Sequence, residues 1–102
     1  TSYRMDAYTP RLLELGLKAT LGKGARTQPV REAMRKHGAL YLAAFGGAGA
    51  LLSQCVKAVE LVAFADAGPE AMFRFEVCDF PAVVINDLEG RDYYEEIARH
   101  SE

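Results

Sequence analysis

The chain has 102 residues, of which half are apolar and a quarter are charged, and its formal net charge is -2. This balance is typical of one globular domain and supplies no basic surface for nucleic acid. The apolar runs are much shorter than the roughly 20 residues that cross a membrane. We therefore expect a single domain over residues 1–102, located in the cytoplasm, with neither a nucleic-acid nor a membrane partner.

The first forty residues predict two helices and one strand. The Thr-Pro pair at 9–10 fits a helix N-cap followed by the first helical residue. Residues 17–21 alternate as a strand does and lead into the loop GKGAR at 22–26. A second helix is expected over 27–36, with Gly38 in the C-terminal stop position.

A strand, a glycine turn and a helix are expected next. ALYLAAF at 39–45 is a continuous apolar run of strand length. Gly46 and Gly47 follow it and open the segment GGAGALLSQCVKA at 46–58, which predicts a glycine turn and a helix. The backbone N–H groups of 46–49 could receive an anion at the helix start, or the glycines could serve only to let helix and strand pack closely.

The remaining residues predict three strands and a terminal helix. The strands are expected at 59–64, 72–77 and 82–86, and in the second of them large apolar side chains alternate with charged ones. Residues 87–90 form a turn that leads into RDYYEEIARH at 91–100, where a terminal helix is favoured over a final strand. Short connections between the last strands favour antiparallel pairing there, so we predict an α/β fold with a mixed sheet and flanking helices.

The two cysteines, Cys55 and Cys78, fit neither a disulfide framework nor a metal site. Each lies in an apolar run, and no other Cys or His lies two to four residues away. An iron–sulfur cluster would need about three such ligands. We expect both cysteines to be small buried apolar residues, and we predict no metal site on this chain.

Arg4 and Asp6 form a candidate anion-binding pair. In an extended segment, side chains two residues apart project to the same side, so Asp6 could hold Arg4 in place. A fixed guanidinium is well suited to gripping a substrate carboxylate. An ordinary solvated ion pair is the alternative that the residues alone favour.

Lys23 is a second candidate for anion binding. It stands between Gly22 and Gly24, so an anion could approach its ammonium group with little steric hindrance. A charged residue in a tight turn is the alternative, and on spacing alone it is the more common one.

Several separated segments together resemble one family. They are RMDAYTPRLLELGLKATLGKG, HGALYLAAFGGAGALL, GPEAMFRFEVCDFPAVVI and the D-x-x-G at 87–90. In this order they are similar to the beta subunit, or carboxy-terminal domain, of class I iron–sulfur fumarate hydratases and L-tartrate dehydratases. The match extends over roughly residues 1–94, and the combination is more specific than any one glycine pair.

The resemblance implies a swivelling β/β/α domain that works with a second part of the enzyme. That part, an alpha subunit or amino-terminal domain, would hold a [4Fe-4S] cluster, and this chain would hold none. Together they would hydrate fumarate reversibly to malate, as a hetero-oligomer or a homodimer. The family motif reads Gly-Pro-Thr-Thr before two variable residues and Arg-Met-Asp, so the chain is expected to lack the amino-terminal part of its domain.

The resemblance also implies roles for individual residues. Thr1 and Lys23 would be catalytic, and both would bind the dicarboxylate substrate together with Arg4. Asp6 would orient Arg4. Gly46 and Gly47 would shape the site or the interface between domains.

Three other functions remain open at the level of sequence. The turn FGGAGALL at 45–52 resembles fumarases more than tartrate dehydratases, but an L-tartrate dehydratase beta subunit is the first alternative. A module that binds phosphate or a nucleotide at residues 46–49 is the second. A non-catalytic interaction domain is the third.

Overall fold

A computed structural model describes residues 1–44 and 49–100. It divides into two compact units. Unit 1 comprises Thr1–Phe45 and Ala82–Glu102, and unit 2 comprises Gly46–Pro81. The expectation of one domain over residues 1–102 stays a prediction.

Unit 1 contains a mixed sheet and its helices. After a 3-10 helix at Ser2–Met5, its elements are α1 (Thr9–Glu14), β1 (Ala19–Gly22), α2 (Gln28–His37), β2 (Leu40–Ala43), β5 (Val83–Asn86) and α4 (Tyr93–His100). The order in the sheet is β1-β2-β5. β1 pairs with β2 in parallel, and β2 pairs with β5 antiparallel. The predicted α/β fold with a mixed sheet and flanking helices is confirmed.

The sequence determines both ends of α2. Thr27 is the N-cap in an extended conformation, and a proline lies in the first turn, where its missing N–H costs nothing. Val30 and Met34, one turn apart, form the buried face. Gly38 ends the helix in the left-handed conformation at φ 68°, and its N–H bonds to the Met34 carbonyl. The predicted second helix is therefore confirmed.

The core of the described residues lies entirely in unit 1. It combines the inner faces of α1 and α2 with side chains from or next to β2 and β5. Its members are Leu13, Val30, Met34, Ala39, Tyr41, Ala43 and Ile85. α1 and α2 contact each other, and β1 and the loop that carries Lys23 lie between them in the chain.

Unit 2 is a helix followed by an antiparallel hairpin. Its elements are α3 (Gly49–Gln54), β3 (Val56–Ala63), a 3-10 segment (Ala65–Glu70) and β4 (Met72–Val77). Val59 pairs with Phe75, and Leu61 pairs with Phe73. The strand predicted at 72–77 is confirmed as β4, but all six of its residues are exposed, so the expected division into one buried and one wet face is wrong. Phe75, for example, is 57% exposed.

Several local expectations are wrong. Residues 2–5 form a 3-10 helix rather than an extended segment, because the N–H groups of Arg4 and Asp6 bond back to carbonyls three residues earlier. Thr9 lies inside α1, where its hydroxyl donates to the Met5 carbonyl at 2.8 Å, so it is not the N-cap. β1 begins two residues later than expected and β3 three residues earlier.

The turn and helix at the carboxyl end are confirmed. Asp87 Oδ1 accepts hydrogen bonds from the N–H groups of Glu89 and Arg91, both at 3.0 Å. Gly90 adopts φ 85°, a conformation that favours glycine. α4 starts directly after Asp92. None of the helices in the described part of the chain has the length and apolar character needed to cross a membrane.

Candidate functional site

Two segments that the sequence analysis singled out meet in unit 1. The Ser2 N–H donates to the Lys23 carbonyl at 3.0 Å. Ser2 belongs to the 3-10 helix that carries Arg4, and Lys23 belongs to the loop after β1. The fold therefore brings the N-terminal segment and the GKGAR loop together, although 19 residues separate Arg4 from Lys23.

Arg4 and Lys23 are cations available to a ligand. Both side chains are exposed. Within residues 1–44 and 49–100, neither side chain has an ion-pair or hydrogen-bond partner. Two unpaired positive charges on adjoining segments are suited to binding a small molecule with two negative groups. The roles assigned to Thr1, Arg4 and Lys23 stay predictions.

Asp6 bonds with Arg26 rather than orienting Arg4. Its Oδ1 accepts from Arg26 Nη1 at 2.6 Å, and its Oδ2 accepts from the Thr27 N–H at 2.8 Å. Asp6 is 8% exposed, in contrast to the exposed Arg4. The expectation that Asp6 holds Arg4 is wrong, because it assumed an extended segment and residues 2–5 are helical.

Arg26 is a structural centre that the sequence analysis missed. It is 6% exposed, and its Nη1 also donates to the Ser2 carbonyl at 2.8 Å. Its guanidinium carbon lies 4.9 Å from the centre of the Tyr41 ring, a cation–π distance. In the sequence Arg26 follows a glycine-rich loop and looks like any solvated loop cation. The contact with Asp6, 20 residues away in the chain, is what distinguishes Arg26 from a solvated cation, and no local sequence pattern shows it.

Tyr41 ties the same two segments together from β2. Its hydroxyl lies 2.7 Å from the Gly24 carbonyl and 2.8 Å from Ser2 Oγ. Because a carbonyl only accepts, Tyr41 donates to Gly24 and the Ser2 hydroxyl donates to Tyr41. Burial raises the pKa of Tyr41, so the hydroxyl keeps the proton that this arrangement needs.

A cavity of about 370 Å³ opens beside these segments. Its polar lining includes Thr1, Thr20 and Arg26. Thr20 Oγ1 and Arg26 Nε are buried without a hydrogen-bond partner in the described part of the chain. Gly22 also lines the cavity, and a Cβ there would collide with Ser2 Oγ. Of the predicted substrate-binding residues, Thr1 lines this cavity, whereas Arg4 and Lys23 lie outside its lining.

The described residues do not fit an iron–sulfur cluster on this chain. Cys55 and Cys78 are both free, and both belong to unit 2. No group of three or more Cys, His, Asp or Glu side chains among the described residues could hold a metal ion. Cys55 is only partly buried and Cys78 is exposed, so the expectation that both cysteines are buried is wrong.

The predicted glycine turn cannot be compared with the structure. Gly46 and Gly47 lie outside the described residues, and so does most of the candidate anion site at 46–49.

The fold and the site define a class of protein. The class is an α/β domain with a mixed sheet, in which a buried Arg–Asp pair joins two segments. Each segment presents an exposed cation, Arg4 or Lys23, that has no partner among residues 1–44 and 49–100. The family model for the fumarase C-terminus matches residues 1–97. The chain belongs to this family, whose named relatives are hydro-lyases.

Individual relatives agree with this assignment. The aerobic class I fumarate hydratase of Escherichia coli K12 is 40% identical over 99 residues, which are 95% of this chain and 18% of that protein. Fumarate hydratase 2 of Leishmania major is 41% identical over 92% of this chain and 17% of its own length. A putative L(+)-tartrate dehydratase subunit beta of Methanocaldococcus jannaschii is 38% identical over 95% of this chain and 52% of its own length. The chain thus spans about a fifth of the fumarate hydratases that it matches.

Proposed function

We propose that this chain is the beta component of a class I hydro-lyase that hydrates fumarate reversibly to malate. One observation carries the proposal. The Ser2–Lys23 hydrogen bond joins the segments of Arg4 and Lys23, and both of these side chains are exposed and unpaired among the described residues. The names of the relatives support the reaction class.

In this proposal the two cations bind the two carboxylates of the substrate. During dehydration a base removes a proton from the carbon next to a carboxylate, negative charge builds on that carboxylate, and the hydroxyl group on the neighbouring carbon then leaves as water. Arg4 and Lys23 stabilise this charge, because positive groups already in place need no reorganisation as the reaction proceeds. Thr1, exposed at the edge of the cavity, donates a hydrogen bond to the substrate.

The proposal assigns the [4Fe-4S] cluster to an alpha subunit or an amino-terminal domain. It is supported by the poor fit of the described residues to a cluster and by the small share of the fumarate hydratases that this chain covers. We further propose that the assembled enzyme is a hetero-oligomer or a homodimer in the cytoplasm.

The test is anaerobic fumarate hydration by the complete enzyme with Lys23→Ala. We expect kcat/KM to fall by roughly 100- to 1,000-fold, the usual effect of removing a group that stabilises developing negative charge. Lys36→Ala is the matched control, since Lys36 is an exposed lysine in the last turn of α2. The proposal is wrong if the complete enzyme with an intact cluster turns over neither fumarate nor L-tartrate. Wild-type turnover with Lys23→Ala would remove Lys23 from the site.

L-tartrate dehydration is the second candidate activity. The relative named as a tartrate dehydratase subunit matches this chain over a larger share of its own length than the fumarate hydratases do. Both reactions use a four-carbon dicarboxylate, so the same two cations would serve. The kcat/KM values for fumarate and L-tartrate, measured on one preparation, decide between them.

A further inference from the structure

We propose that Arg26 is a positioning residue that holds the segment of Thr1 and Arg4 against the loop of Lys23. This inference rests on the proposed function for its effect on turnover. Its structural part, the attachment of one segment to the other, can be tested separately. We call Ser2, Asp6, Arg26 and Tyr41 the Arg26 cluster.

Arg26 attaches the N-terminal segment on both sides of Arg4. Its Nη1 donates to the Ser2 carbonyl at 2.8 Å and to Asp6 Oδ1 at 2.6 Å. The second carboxylate oxygen of Asp6 accepts from the Thr27 N–H, the residue after Arg26. Residues two before and two after Arg4 are therefore bonded to residues 26–27.

Tyr41 attaches the Lys23 loop to the same cluster. Its ring lies beside the Arg26 guanidinium, and its hydroxyl donates to the Gly24 carbonyl while accepting from Ser2 Oγ. The Lys23 carbonyl accepts from the Ser2 N–H. Lys23 and the following residue are thus both bonded to the cluster through their main chains.

The side chains of Arg4 and Lys23 depend on this cluster for their relative position. Neither side chain has a partner among the described residues. The positions of the two side chains are therefore set by the main chain at residues 4 and 23. Arg26 and Asp6 are both more than nine-tenths buried, so their bond is shielded from water and is stronger than a surface pair. A displacement of about 1 Å at a substrate-binding group can reduce turnover by about 100-fold.

The first test measures turnover of the complete enzyme carrying Arg26→Lys, Arg26→Gln or Tyr41→Phe. Each rate is divided by the fraction of folded protein. We expect kcat/KM to fall roughly tenfold for Tyr41→Phe and Arg26→Lys, and about 100-fold for Arg26→Gln. Arg11→Gln is the control, because Arg11 forms an exposed ion pair with Glu14 in the same unit. A purely structural role would lower the folded fraction and leave kcat/KM of the folded molecules unchanged, and that result would overturn the proposal.

A double-mutant cycle keeps the proposal testable if the single variants do not fold. Removing one member of a buried ion pair leaves an uncompensated charge, whereas Asp6→Asn combined with Arg26→Gln removes both charges. We expect the double variant to lose no more kcat/KM than the Arg26→Gln variant, because both changes break one attachment. Losses that multiply would show that the two residues act separately, and the proposal would then be wrong.

Amide hydrogen exchange tests the attachment without any activity. The Ser2 and Thr27 N–H groups are bonded across the two segments. We expect Arg26→Gln to accelerate their exchange at least tenfold, with no change at the Ala39 N–H, which bonds within the α2 terminus. Unchanged exchange at Ser2 and Thr27 would overturn the attachment. If the wild-type enzyme shows no turnover, the proposed function fails while this measurement still decides the structural part.

Discussion

At the scale of single residues, the candidate site contains two kinds of charged side chain: exposed ones that a ligand could reach, and buried ones that hold the surrounding main chain in place. Arg4 and Lys23 are exposed and unpaired among the described residues, whereas Asp6 and Arg26 are buried and bonded. A buried ion pair is weak evidence for stability, since desolvation offsets much of its attraction. Its location between two cation-bearing segments is better explained by the need to fix a geometry.

Tyr41 makes this arrangement sensitive to alkaline pH. Burial raises the pKa of Tyr41, against opposing effects of the Ser2 hydrogen bond and the Arg26 charge. Above the ordinary tyrosine value of about 10, the unfolded chain loses this proton before the folded chain does. The stability that the protonated Tyr41 hydroxyl contributes is therefore fully present below pH about 10, and it is lost as the pH rises through the pKa of Tyr41 in the folded chain.

We expect Tyr41→Phe to flatten the loss of stability at alkaline pH. The free energy of unfolding, measured by denaturant titration from pH 8 upward, should fall less steeply in the variant above pH about 10 than in the wild type. Tyr8→Phe is the matched control, since Tyr8 is exposed. Parallel curves for the wild type and Tyr41→Phe would contradict this prediction.

At the scale of elements, Asp92 connects α4 to β5 and α2. Its Oδ1 accepts from the Glu95 N–H at 3.1 Å, which caps the first turn of α4. Its Oδ2 accepts from Asn86 Nδ2 at 2.8 Å and lies 3.5 Å from Arg31 Nε. One buried carboxylate thus fixes the start of a helix, the end of a strand and the face of another helix.

Asp92→Ala should lower the free energy of unfolding by roughly 2 kcal/mol or more. Loss of an N-cap costs about 1 kcal/mol, and the loss of the hydrogen bond from Asn86 Nδ2 and of the ion pair with Arg31 adds to it. Asp92→Asn should cost less than Asp92→Ala, because the asparagine side-chain oxygen can still accept the N-cap hydrogen bond from the Glu95 N–H. Asp66→Ala, at an exposed aspartate in unit 2, should change stability by less than about 0.5 kcal/mol. Equal effects of Asp92→Ala and Asp66→Ala in denaturant titrations would be evidence against this role.

At the scale of the whole molecule, the two units differ in how much apolar surface they bury. All the fully buried apolar residues in the described part of the chain belong to unit 1. The hairpin of unit 2 presents Val59, Leu61, Phe73 and Phe75 as exposed residues, paired across the two strands. A paired apolar face of this kind contributes little to stability while it remains in water.

A matched pair of leucine substitutions should reveal this difference. Leu13 is 1% exposed and Leu61 is 49% exposed. Leu13→Ala should cost about 2–5 kcal/mol, because it leaves a cavity in the core. Leu61→Ala should cost less than about 1 kcal/mol, because the side chain stays in contact with water. Similar losses in thermal or denaturant unfolding would mean that the hairpin face is covered in the assembled protein.

The sequence by itself determined the elements with local signals and the exposed cations. α2 was predictable because its cap, its apolar spacing and Gly38 all lie within 12 residues. Likewise, β4 was predictable from its alternation and α4 from the turn before it. Arg4 and Lys23 were candidates for anion binding from the residues alone, and their role in binding substrate came only from the family resemblance. Their side chains are exposed, which agrees with such a role.

Only the tertiary structure decided which charged groups are buried and which partners they have. Asp6 was assigned to Arg4, two residues away, but it bonds to Arg26, 20 residues away. The Ser2–Tyr41 hydrogen bond spans 39 residues. Such long-range contacts depend on how α1, β1 and α2 pack against one another, and no local sequence pattern predicts that packing. The sequence therefore specified the parts of the candidate site, and long-range packing specified how they are held together.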